Sequence, residues 1–339
     1  MNKKAFGLLT ALIGIVTIIF VGLGFVYEKS ENEKQNGLTA IFDVSATGVI
    51  ATVRFEKGKA GIYLNTKDDG PIVQFPVEQK ILDISFSNDG KRLAYVVSEK
   101  ESSSDSISDV HLLDIDTKAD ILAFSVTAII TELAFDPKNP DKLFYLQADV
   151  FTNYSPITGK RPHDFDVHSY NLDNKTQTRH TDLKKYGMQS LHVSATDESV
   201  FVQMDDDENV QSADELFASY QRIFKIPLDM PDEKEIISNP TGQQDIYDFL
   251  VLPELDEIIY QAVGGTKSNG TYEYELFSFN WETNQTKQLT RLKEYAAKPI
   301  LGSNQKIYFL VDLNFAGRTP DYTIYQMDLD GENIVEILW

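Results

Sequence analysis

One arrangement of strands and turns recurs along this chain of 339 residues and limits its fold more than any other feature. In "ILDISFSNDGKRLAYVVS", Ile81 to Ser98, two runs of β-branched and aromatic residues flank Asn88-Asp89-Gly90. Such runs favour strands, and Asp-Gly accepts the backbone angles of a tight reversal, so the segment predicts a β-hairpin. The unit continues in "DVHLLDIDTKADILAFSV", Asp109 to Val126, a second strand pair. Comparable units begin with "TAIFDVSATGVIATVRF", "TELAFDPKNPDKLFYLQ", "LHVSATDESVFVQM", "FLVLPELDEIIYQAV" and "PILGSNQKIYFLV". Aligning the first turns at Ser45, Ser87, Asp136, Ala195, Pro253 and Ser303 gives intervals of 42, 49, 59, 58 and 50 residues. Four-stranded units repeating at about 40–60 residues predict a β-propeller, here with six antiparallel blades. A lone blade has two apolar faces that only radial stacking buries, which is why such units come as a set.

Before the first unit, Ala5 to Tyr27 holds no charged residue. As a helix these 23 residues would extend about 34 Å, enough for a hydrocarbon core of about 30 Å. Lys3 and Lys4 precede the stretch and Glu28, Glu31 and Glu33 follow it. The positive-inside rule then places residues 1–4 in the cytoplasm, a single transmembrane anchor at 5–27, a polar stalk at 28–37, and an exported propeller at 38–339. A cleaved signal peptide is the alternative, with Gly22-Leu23-Gly24 as its cleavage site.

The chain has no cysteine, which removes disulfides, thiolate metal sites and cysteine nucleophiles. Beyond residue 27 it carries 29 basic against 52 acidic residues, a formal charge of −23, which argues against nucleic acid.

"DISFSNDGKRLAYVV" followed by "DVHLLDIDTKADI" resembles the TolB-type propeller repeat. Ser87, Asp89, Gly90, Lys91 and Tyr95 keep the repeat's motif, and Asn88 stands where the family prefers proline. The next unit keeps Phe135, Asp136 and Pro137 without the glycine, and the others match in period alone. The resemblance implies a six-bladed propeller. It implies little about function, because propellers host many. TolB-like propellers also occur as accessory domains of serine peptidases, but no G-x-S-x-G is present in this chain.

Two places could carry function. The loops joining the second and third strands hold most of the extra length: Glu99–Ile107, Ala148–Phe165, Asp205–Ser219, Gly264–Tyr272 and Asp312–Asp321. Long loops on one face of a rigid scaffold are where binding residues gather. They offer Phe151, Tyr154, Arg161, His163, Phe315, Arg318 and Tyr322, residue types that anchor interfaces. The alternative is the axial channel, where Asp83, Glu132 and Asp248, with His192, would sit as a glycan-binding or hydrolytic set or as a polar lining. "MDLDGEN", Met327 to Asn333, reads as a hairpin turn rather than a calcium loop, and "GGTKSNG", Gly264 to Gly270, as a flexible loop. No metal and no cofactor is expected. The sequence therefore predicts a non-enzymatic protein- or peptide-binding module at the cell membrane, its partner an envelope or membrane protein.

Overall fold

The computed structural model describes the backbone of residues 3–27, 30–66, 70–101, 103, 105–155, 159–208, 210–212, 215, 219–239 and 242–337. Side chains at 3–6, 8, 9, 22–27, 150, 152–155 and 159 lie outside that description. Helix α1 covers Lys3–Tyr27. Among the described residues no helix is long and apolar enough to cross a membrane, so the anchor expected at 5–27 has a helix but no structural support as a span.

From Gly37 onward the described strands form antiparallel four-stranded units. The first is β1–β4 (Gly37–Val44, Ile50–Glu56, Lys59–Leu64, Val73–Gln74) and the second β5–β8 (Gln79–Phe86, Arg92–Glu99, Ser108–Asp114, Asp120–Val126). The third is β9–β12 (Ile129–Phe135, Lys142–Ser155, Gly159–Asn171, Thr176–Arg179) and the fourth β13–β16 (Met188–Val193, Ser199–Asp205, Gln221–Pro227, Glu235–Ile236). Strands β17–β20 (Tyr247–Leu252, Glu257–Thr266, Tyr272–Asn280, Gln285–Gln288) and β21–β24 (Tyr295–Leu301, Lys306–Asp312, Tyr322–Asp328, Val335–Ile337) repeat the same order. One parallel bridge, Tyr274↔Tyr295, joins these last two into a continuous sheet.

The second strands explain why the units assemble. In β6, Leu93, Tyr95 and Val97 face a core shared with the first unit, while Ala94 and Val96 face a core shared with the third. Period-2 alternation thus supplies two apolar faces. Each successive pair of units shares such a core, and one more cluster joins Phe42, Val44 and Ile50 to Tyr308, Leu310 and Ile324. The last unit therefore packs on the first through side chains, and among the described residues no strand is exchanged between them. The outermost strand β12 is exposed throughout and polar, which suits an unpaired edge.

The first turns repeat one device. The backbone N–H groups of Ser45, Ser87, Asp136, Ser194 and Gly302 donate to Val49, Arg92, Lys142, Ser199 and Lys306. In the fourth and last units this equivalence falls one residue before the expected Ala195 and Ser303. Gly90 has φ +69° and donates to the Ser87 carbonyl at 2.8 Å. A Cβ there would stand 3.3 Å from Thr47. Gly90→Val should therefore cost about 1–3 kcal/mol of stability, read as a lowered urea midpoint. An unchanged midpoint would remove the turn from the account of the fold.

Three expectations change. Ala148–Phe165 is largely hairpin rather than loop, since β10 and β11 stay paired out to Ser155↔Gly159. Gly264 and Gly265 belong to β18, leaving a turn at Lys267–Gly270. The stalk is not free chain: Ser30–Asn36 folds against the first unit, as detailed below. The stretch Ala213–Gln221, whose sequence could hold one or two helical turns, lies largely outside the described residues.

Candidate functional site

The axial channel is a cavity of about 560 Å³ lined by the innermost strands β1, β5, β9, β13, β17 and β21. Every innermost strand has a register shift: at Leu38/Phe42, Ile81/Asp83, Ile130/Glu132, Gln189/His192, Tyr247/Phe249 and Ala297/Ile300. A bulge frees backbone N–H groups and re-aims side chains, and the axial carboxylates use both effects. Asp43 Oδ2 accepts from Phe86 N at 2.6 Å, and Asp83 Oδ2 from Leu133 N at 2.8 Å. Glu132 accepts from Ser190 N at 2.8 Å and Leu191 N at 2.7 Å, one bond on each oxygen. Ser190 Oγ donates to Asp248 Oδ1 at 3.2 Å. Asp43, Asp83 and Glu132 thus each staple the next unit's inner strand, while Asp248 is held from the preceding unit by Ser190. Ser190 and Lys298 adopt left-handed angles, φ +58° and +51°, at two of the bulges.

Burial raises the Asp43 carboxyl to about 7 against the pull of the Phe86 and Val44 N–H groups. Burial also raises Asp83 to about 7, opposed mainly by Lys298 and reinforced by Glu132. Glu132 is pushed up by burial against its two N–H donors. Burial lowers His192 to about 4, so its neutral ring donates through Nε2 to the Phe249 carbonyl at 2.6 Å. Lys298 is held above its usual range because Asp248, Asp83 and Glu132 outweigh its burial. Sequence reasoning brought Asp83, Glu132, His192 and Asp248 together and missed Asp43, Ser190 and Lys298. No spacing signalled these three, since a bulge shifts which residue faces the axis. Among the described residues no group of His, Asp or Glu could hold a metal ion. The cavity is also lined by Ala46, Asn88, Pro137 and Ser303 from the β1–β2-type turns, which places its mouth opposite the long loops.

The long-loop face divides the other candidates into two groups. On the β10–β11 hairpin, Phe151 packs against the core between the third and fourth units, and His163 is buried with Nδ1 2.7 Å from the Asp164 carboxylate. Arg161 is exposed, and the side chain of Tyr154 lies outside the described residues. In the last unit Arg318 is exposed, and Phe315 and Tyr322 are half-buried.

Phe315 reveals what sequence reasoning overlooked. It stacks on Tyr295 at 4.5 Å and meets Tyr274 edge-on at 5.4 Å. Tyr274 also contacts Tyr295, Tyr247 and Tyr272 at 5.1, 5.8 and 6.5 Å. Tyr272 is 55 % exposed and Leu313, in the Phe315 loop, 47 %. These rings come from strand starts in two units and a loop, and only the closed sheet gathers them. The "YEY" of Tyr272–Tyr274 was the available signal.

Compared with known protein families and curated protein sequences, the chain matches none. Among solved structures it is similar to TolB from Acinetobacter baumannii, with TM-score 0.52, 11% identity and 91% of this chain covered. It spans less than two thirds of TolB's own length, 65%. It is also similar to an oligogalacturonate lyase in complex with manganese, with TM-score 0.56 and 13% identity over 89% of this chain and 77% of the lyase. A third similar structure is the propeller domain of the Trilobed protease from Pyrococcus furiosus, described as having an open velcro topology. That likeness has TM-score 0.50 and 12% identity over 90% of this chain and 84% of the domain. At these identities the likenesses show the fold, a TolB-like β-propeller.

Proposed function

We propose that this chain is a six-bladed propeller held to the cell membrane by residues 5–27, which binds an envelope or membrane protein on its long-loop face without catalysing a reaction. The blade count rests on the six repeats of the four-strand order, and the anchor on the uncharged stretch that α1 covers. The observation that carries the binding role is the aromatic patch of Tyr247, Tyr272, Tyr274, Tyr295 and Phe315. Partly exposed aromatic rings fixed by one another present contact area at little entropic cost, as interface anchors do.

Replacing Tyr272 and Leu313 together by alanine should abolish partner capture from solubilised membranes by the full-length chain. Both side chains are about half exposed, so the melting temperature should barely move. Undiminished capture by the double variant would remove the face from consideration.

A second reading, a glycan-binding or hydrolytic site in the channel, is favoured by the cavity of about 560 Å³. Under it, Asp83→Asn with Asp248→Asn would lose function while the Tyr272/Leu313 variant kept it. The hydrogen bonds of Glu132 support the first reading, because both its oxygens are engaged by backbone donors.

A further inference from the structure

The segment after α1 has more structure than a stalk needs. Ser30 N and Oγ both donate to Glu33 Oε2, at 2.8 and 2.9 Å, and Glu33 N donates back to Ser30 Oγ at 3.2 Å. This reciprocal pair is a capping box, and it closes a turn over Ser30–Lys34. The turn is fastened to the propeller where Gly58 N donates to Gln35 O at 2.9 Å and Lys57 N to Asn36 Oδ1 at 2.8 Å. Gly58, at φ +81°, lies so close that a Cβ would stand 2.3 Å from Asn32 O. Lys100 Nζ donates to Gly58 O at 2.7 Å, tying the clamp to the second unit.

Lys57-Gly58 is the β2–β3 turn, so the clamp sits on the same face as the long loops. It occupies the unit whose second-to-third-strand connection is the shortest, two residues between Glu56 and Lys59, where no long loop competes for the space. Only Glu28 and Lys29 separate α1 from Ser30, a reach of at most about 11 Å from Tyr27 to Ser30. A propeller clamped so close to its anchor has one face turned to the membrane.

The aromatic patch lies on that face among carboxylates. Asp245 accepts from Tyr247 Oη at 3.3 Å and from Gln221 N at 3.0 Å. Asp205, Asp206 and Asp207 stand nearby, and Asp312 and Asp321 border the Phe315 loop. The neighbouring cations are engaged: Arg222 donates to the carbonyls of Gln221, Gln244 and Gly242, and Lys185 pairs with Asp207. Lys185 and Arg222 offset part of this charge, but the six carboxylates outnumber them, and rings edged by such an acidic surplus suit Lys or Arg side chains through cation–π and Coulomb attraction. The same carboxylates repel anionic lipid, which leaves the face open to protein.

We infer that the clamp turns the long-loop face toward the bilayer, and that its aromatic–acidic patch takes a Lys/Arg-bearing juxtamembrane segment of a neighbouring membrane protein. The inference rests on the anchored binding module proposed above.

The test uses the full chain in phosphatidylcholine vesicles containing a small fraction of rhodamine-labelled lipid. The chain has no cysteine, so Leu313→Cys and Ala46→Cys each accept one fluorophore, on the long-loop face and the opposite face. Energy transfer to the lipid should be stronger from position 313, and Gly58→Val should shrink the difference by breaking the clamp. Lysine-bearing decapeptides, read by anisotropy on unlabelled vesicles, should bind at least tenfold tighter than matched glutamate decapeptides. That preference should be lost in Asp206→Lys/Asp245→Lys and weakened by raising the salt.

Stronger transfer from position 46 in chain that floats with the vesicles overturns this inference alone. Chain that does not float with them overturns the anchored reading and this inference with it. Equal binding of the two peptides, with tyrosine fluorescence responding to phosphatidylcholine itself, assigns the patch to lipid headgroups and overturns the proposed occupant.

Discussion

Glu132→Ala is expected to lower the unfolding free energy by about 2–4 kcal/mol, the largest effect of any single axial substitution. Both carboxylate oxygens accept backbone N–H groups of β13, at 2.8 and 2.7 Å. Each buried N–H left without its acceptor costs about 1–3 kcal/mol, and water in the channel can replace part of that. Glu132→Gln keeps one acceptor and should lose roughly half as much. Urea unfolding followed by far-UV dichroism measures both. A midpoint unchanged in Glu132→Ala would show that this staple does not hold the ring together.

Stability should fall as pH rises from about 5 to 8, by on the order of 2 kcal/mol for each of Asp43 and Asp83. The sign follows from proton binding. Both native carboxyls are raised to about 7 from 3.8, so between those values the folded state binds more protons than the unfolded. Their contribution is greatest at the acid end of that window and is lost as pH climbs through 7. Below about pH 4 the trend reverses, because carboxylates held low by hydrogen bonds, such as Asp89 beside Ser87 and Asp114 beside Thr117, become protonated. Thermal melting across pH should therefore peak near pH 5. Asp83→Asn keeps an oxygen for Leu133 N and cannot titrate, so it should flatten the alkaline slope and leave the acid limb in place. A slope as steep in Asp83→Asn as in wild type would exclude this carboxyl as its source.

Placement of the candidate residues followed how far each depended on its neighbours. Asp83, Glu132 and Asp248 could be assigned to the axis because innermost strands are identifiable from their place in each repeat. The role of Asp83 and Glu132 as staples could not, because it depends on bulges that expose the next unit's N–H groups. His163 read as a loop residue and is buried, since the hairpin that carries it stays paired beyond the expected strand end. The aromatic patch combines residues as far apart in sequence as Tyr247 and Phe315, and no local pattern relates them.

The sequence by itself determined the four-stranded repeat, its turns and the uncharged N-terminal stretch. Each is a local property: side-chain alternation every second residue, backbone angles that glycine alone adopts freely, and an unbroken apolar run. The tertiary structure decided which carboxylates meet at the axis, which rings gather on the long-loop face, and where the segment after the helix docks. Those depend on how the units twist and stack against one another. A bulge of one residue in an inner strand changes which side chain faces the axis, while the turns and apolar faces that the sequence displays remain the same.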